Sequence, residues 1–93
     1  MIPDFYSKVD VAAGGFVAVP FGDMQDGQAL LNSSGVDCEF TFDGTTIMPL
    51  RATGPTSQLS WETHRRASVQ VRRAAGVGGG PLYVEVFAWR ELR

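Results

Sequence analysis

The sequence predicts an all-β domain: a small antiparallel β-sandwich or barrel of about eight short strands, with jelly-roll-like or Ig-like topology. Three observations predict it. Apolar and polar residues alternate at period two along most of the chain. Turn residues break that alternation at short, regular intervals. Eleven glycines and five prolines in 93 residues suit strands joined by tight turns better than helices.

Each segment follows from that pattern. In the first, Phe5, Ser7, Val9 and Val11 share one side, while Tyr6, Lys8 and Asp10 share the other. Gly14-Gly15 turns the chain into a second strand, Phe16 to Val19, closed by Pro20. Phe21 to Gly27 has no period and two glycines, which predicts a loop. Gln28 to Asn32 is the third strand, ended by Ser33-Ser34-Gly35. In the fourth, Val36, Cys38, Phe40 and Phe42 alternate with Asp37, Glu39, Thr41 and Asp43, the pattern of a half-exposed antiparallel strand. Asp43-Gly44 predicts a tight primed hairpin turn. Thr45 to Leu50 returns as a fifth strand, and Pro49 assigns its end to a sheet edge or bulge. After a turn at Arg51 to Pro55, Gln58 to Trp61 is a brief sixth strand. Glu62 to Arg66 fits either a helical turn or a tight loop. Ala67 to Arg73 is the seventh strand, with Val69 and Val71 inward, and Gly76 to Pro81 is a connection. The last strand, Leu82 to Trp89, carries large apolar groups on both faces: Leu82, Val84, Val86 and Ala88 face one way, and Tyr83, Glu85, Phe87 and Trp89 the other. One face serves the core; the other needs a cover.

The length fits one domain, residues 1–93, within which residues 1–26 are an N-terminal arm or additional strands. A chain of this size buries roughly 60–65% of the surface it exposes when unfolded. With one cysteine, Cys38, it gains no intrachain disulfide, and one Cys with one His does not build a structural zinc site. Assembly with further copies is then the remaining stabilising device. No apolar run approaches the ~20 residues of a membrane-spanning helix, and no secretory signal is visible. No cofactor and no membrane contact are expected.

Charge is mild overall, with eight basic and ten acidic residues and a formal net charge of -2. Its distribution is uneven. Six acids precede residue 40, whereas Arg51, Arg65, Arg66, Arg72, Arg73, Arg90 and Arg93 follow residue 50. The two halves can pair within the fold or between copies. Arginines 65, 66, 72 and 73 with Trp61 and Trp89 resemble a single-strand nucleic-acid platform, but the negative total and the lack of aromatic-basic interleaving argue against nucleic-acid binding.

Catalytic constellations are sparse. His64 would need Ser57, Ser60 or Ser68 as nucleophile, and no nucleophile elbow is present. Asp37, Glu39 and Asp43 line one strand face, as glycosidase carboxylates would, but a solvated face gives the same pattern. Asp23 to Gly27 lacks the ligands of a calcium loop, and Gly76 to Gly80 lacks the lysine and helix of a phosphate loop. Cys38 alternates with Val36 and Phe40 and is assigned to the core. The chain is expected not to be an enzyme. Trp, Tyr and Arg are favoured interface anchors, so Tyr6, Trp61, Tyr83, Phe87 and Trp89 are candidate contact residues, with Arg65, Arg66, Arg72 and Arg73 as ion-pair partners.

The strand Gln28 to Asn32 runs into Asn-x-x-Gly-Val-Asp at residues 32–37. Ile47-Met48-Pro49-Leu50, Thr56 to Ser60, Ser68 to Arg73 and Tyr83 to Arg90 follow it. This arrangement, spanning residues 27–91, resembles the small β-rich virion structural proteins of tailed bacteriophages. The resemblance implies a capsid decoration, or cement, protein on the outer shell of the virion, made in the host cytoplasm. It also implies a homo-oligomer, with a trimer favoured, that bridges copies of the major capsid protein. Two alternatives remain: a neck, tail or baseplate component, and a carbohydrate-binding β-sandwich that stacks sugars on Trp61 or Trp89.

Overall fold

Strands with one apolar face bury it only when two sheets close over each other, and that is how this chain folds. A computed structural model describes residues 4–74 and 82–90. Among the described residues there are eight strands, β1 (Phe5–Asp10), β2 (Val17–Gln25), β3 (Gly27–Asn32), β4 (Cys38–Thr41), β5 (Met48–Leu50), β6 (Gln58–Trp61), β7 (Arg66–Arg73) and β8 (Tyr83–Trp89), and a 3-10 turn at Pro55–Ser57. They form two four-stranded antiparallel sheets, ordered β1-β8-β3-β6 and β2-β7-β4-β5.

The pairings β1 with β8, β2 with β7, β3 with β6 and β4 with β5 are those of one long hairpin rolled up on itself. That is jelly-roll topology, the first of the two arrangements the sequence left open. Residues 5–25 supply one strand to each sheet and pair with β8 and β7.

Val9, Leu30, Val84, Val86 and Ala88 from the first sheet face Val19, Phe21, Phe40, Leu50, Val69 and Val71 from the second. Cys38 belongs to this core, and burial pushes its thiol pKa up. Two amides on inward positions of β3 cross the interior. Gln28, wholly buried, donates to the Gln25 and His64 carbonyls and accepts from Arg66 Nη1 at 3.0 Å. Asn32 Nδ2 donates to the Val36 and Leu50 carbonyls at 2.8 Å, while its Oδ1 accepts from Ser34 N and Oγ. These bonds offset the desolvation of two amides and tie β3 to the β6–β7 loop and to β5.

Several boundaries differ from the sequence reading. The loop expected at residues 21–27 is mostly strand: β2 continues through Pro20 and Phe21 to Gln25. Pro20 is tolerated because β2 lies at a sheet edge, where its missing N–H breaks no ladder. A register shift follows it, and Gly22, at φ 84°, supplies the left-handed residue that such a bulge uses. Phe21 continues the inward alternation of Val17 and Val19 and lies in the core, 5.4 Å from the Phe5 ring.

The primed turn expected at Asp43-Gly44 is a longer connection between Thr41 and Met48. Asp43 does not adopt the positive φ that a primed turn needs. Instead its carboxylate accepts from Thr41 Oγ1 and the amides of Thr45 and Thr46, organising the loop around itself. Those amide bonds hold its pKa well below the usual carboxylate range. Glu62 to Arg65 makes bends, and β7 begins at Arg66. The connection expected at Gly76 to Pro81 lies outside the described residues.

Candidate docking face

The cross-strand register decides which outward residues meet. On the outer face of the first sheet, one row runs Ser60, Ala29, Phe87, Tyr6 across β6, β3, β8 and β1. The next row runs Gln58, Leu31, Glu85, Lys8, and Asp10 stands opposite Tyr83 beyond it. Tyr6 is half exposed, at 50%, and its ring lies 5.0 Å from Phe87. Its hydroxyl donates to Glu85 Oε1 at 2.7 Å, and Ser33 Oγ donates to Glu85 Oε2 at 2.6 Å. Lys8 Nζ sits 4.6 Å from the centre of the Tyr83 ring.

This is a small electrostatic network with aromatic walls. The Ser33 and Tyr6 hydroxyls hold the Glu85 carboxyl below its ordinary range, and nearby Lys8 adds to the effect. The same Glu85 bond raises the Tyr6 phenol. The result is a fixed ring with an anchored hydroxyl rather than a free rotor, and rigid aromatics lose little entropy on contact.

Of the nine residues singled out from sequence, the structure brings together Tyr6, Tyr83 and Phe87. Five of the others lie elsewhere, and the sixth, Trp89, is hidden. Trp89 shares their face by parity, yet it is only 7% exposed and is not available as a contact. The reason is Gly27, its cross-strand partner: a Cβ there would lie 2.1 Å from the indole, so the ring lies across a position with no side chain. Trp61 is half-buried at the open end of the core, with ring centres 4.8 Å from Phe42 and 5.4 Å from Phe40.

The arginines also differ from one another. Arg66 stacks 3.7 Å above Phe42 while bonding Gln28, and burial lowers its pKa. Arg72 pairs with Glu39 at 2.9 Å on the outer face of the second sheet and lies over Phe16. Arg73 is half-buried beneath the β1–β2 turn, 3.1 Å from where a Gly14 Cβ would sit. Arg65 is exposed.

Lys8, Glu85 and Ser33 are not among the contact residues expected from the sequence. Nothing in the chain order reveals them, because the β1–β8 pairing joins residues some eighty positions apart.

The groups considered for chemistry are occupied separately. Ser57 Oγ donates to the Gly54 carbonyl, and among the described residues no hydrogen bond links the His64 imidazole to Ser57, Ser60 or Ser68. Asp37 accepts from Ala52 N and Glu39 from Arg72, while Asp43 caps its own loop. Asp23 bonds the Met24 amide and Arg90. Among the described residues no three His, Cys, Asp or Glu side chains converge as metal ligands do.

No known family, curated protein or solved structure matches this chain.

Proposed function

We propose that this chain is a non-enzymatic structural protein that works by docking the outer face of its first sheet against other protein, as a capsid decoration protein does. The observation that supports it best is the Tyr6–Phe87–Tyr83 face, with the Tyr6 hydroxyl fixed by Glu85 and a polar frame of Ser33 and Lys8. Aromatic anchors are favoured in stable protein contacts, and here the hydrogen-bonded Glu85 and Lys8 lie between the Tyr6–Phe87 pair and Tyr83. The jelly-roll topology supports the reading by analogy, since viral shell proteins share it. Lectin domains share it too, so fold alone carries little.

The carbohydrate-binding alternative loses its support in this geometry. Trp89 lies across Gly27, and Trp61 is engaged by Phe42, Phe40 and Arg66, so neither is an open stacking platform. A neck or tail position remains compatible with the same docking face.

Co-sedimentation with phage heads stripped of their own copies tests the proposal. The wild-type chain is expected to rebind, and Phe87→Ser or Tyr83→Ser to weaken binding about tenfold or more. Retained binding in both folded variants, or absence of the protein from purified virions, overturns it.

A further inference from the structure

The sheet edges of this protein are not equivalent. β2 carries Pro20 and a register shift, β5 is three residues long with Pro49 in the middle, and β6 has four residues. Proline, bulges and shortness are the devices that stop edges from pairing. β1 has none of them: it is a six-residue strand without proline at the edge of the first sheet.

The ladder fixes which of its backbone groups are free. Val11 N donates to the Leu82 carbonyl in the same register that pairs Val9 with Val84. By two-residue alternation, Phe5, Ser7 and Val9 bond toward β8. Tyr6, Lys8 and Asp10 therefore aim their N–H and C=O groups outward. A lysine mid-strand commonly guards an edge. Here its ammonium is drawn back over Tyr83, onto its own sheet.

We propose that β1 pairs antiparallel with β1 of a second copy across a two-fold axis at Tyr6, joining two first sheets into one continuous eight-stranded sheet.

Charge narrows the register, and the tyrosine row selects among those it leaves. Outward-bonding residues must face one another, so only a few two-fold registers exist. An axis at Lys8 sets lysine against lysine, and one at Asp10 sets aspartate against aspartate. An axis at Ser7 sets Asp4 against Asp10. An axis at Val9 also pairs Lys8 with Asp10, but it sets Tyr6 opposite Ala12 and ends the aromatic row at the contact. An axis at Tyr6 sets each Lys8 opposite the other copy's Asp4, one residue before the strand and accepting from Arg90 N in its own copy, and brings the two half-exposed tyrosines together. The row Ala29–Phe87–Tyr6 then continues through the second copy in reverse order. An isologous contact of this kind closes at two copies and does not propagate into a fibre.

This pairing needs no particle and does not rest on the docking function: a dimer that fails to bind heads, or a monomer that binds them, separates the two. Light scattering of the wild-type chain is expected to give twice the monomer mass in the micromolar range. Lys8→Glu, which faces Asp4 with a like charge, is expected to dissociate the pair about tenfold more readily. The register is read by cysteine cross-linking. Across a hydrogen-bonded antiparallel pair, Cα atoms lie about 5.5 Å apart, within disulfide range. Tyr6→Cys is therefore expected to oxidise to a covalent dimer, whereas Lys8→Cys, facing Asp4, is not. A monomer or trimer in solution, or Lys8→Cys cross-linking in preference to Tyr6→Cys, overturns the proposal. Circular dichroism of each variant confirms that it is folded when measured.

Discussion

At the scale of single residues, the most consequential side chain is one that is missing. Gly27 lets the Trp89 indole lie flat across β3 and fills a surface position with an aromatic ring from the neighbouring strand. A methyl group there meets the indole at 2.1 Å, so the ring must leave. Gly27→Ala is expected to destabilise the fold by about 2 kcal/mol, the scale of overpacking a filled site. Chemical denaturation measures it, and Trp fluorescence should shift to the red as the indole meets water. A second residue-scale prediction concerns Tyr6. Its bond to Glu85 raises its phenol pKa, so ultraviolet titration is expected to show a tyrosine ionising above the ordinary range. In Glu85→Gln that late step should move back toward ordinary values. A titration unchanged by the substitution would mean that the Tyr6–Glu85 bond does not persist in solution. The aromatic character of both residues is plain in the sequence. Which is open to solvent is not, because that depends on the size of the residue across the strand.

At the scale of elements, alternation locates strands well and their ends poorly. β6 matches its expected span, and β8 differs by one residue. β2 is the instructive departure: its second half looks like a loop because a bulge interrupts the alternation. Glycine at a bulge and glycine in a turn leave the same mark on a sequence; only the partner strand tells them apart. The β4–β5 connection shows the same limit. Asp-Gly signals a reversal, and the chain does reverse there, but the aspartate acts through its carboxylate rather than its backbone angle. Asp43→Ala removes the acceptor shared by Thr41, Thr45 and Thr46. The amides of Thr45 and Thr46 are expected to exchange with solvent markedly faster, while those of β3 and β8 do not change. Equal exchange in the variant and the wild type would show that the loop is held by something other than this carboxylate.

At the scale of the whole molecule, stability depends on acid in a direction set by the carboxylates. Asp43 is held low by the Thr46 and Thr45 amides, Asp23 by the Met24 amide and Arg90, and Glu85 by Ser33 and Tyr6. For each, the folded pKa lies below the unfolded one, which is about 4. Their stabilisation is therefore complete above the unfolded value and is lost as pH falls through the folded one. The melting temperature is expected to decline as pH drops below about 4. Asp43→Asn should lower the melting temperature at neutral pH and flatten that decline; an unchanged acid slope would exclude Asp43 as a contributor. Tyr6 acts in the opposite sense at the alkaline end. Its raised pKa stabilises the fold below the unfolded phenol value, and that contribution is lost as pH rises through the folded one.

The all-β class, the approximate strand positions, the core parity of β4, β7 and β8 and the burial of Cys38 follow from local alternation, since a strand side chain's face depends only on its place in a two-residue repeat. The roll-up of the strands, the meeting of Tyr6 with Phe87 and Glu85, the concealment of Trp89 and the edge position of β1 were decided by tertiary structure alone. Each depends on which distant strand lies alongside. That choice is made by packing two whole sheets together, and no short window of sequence contains it.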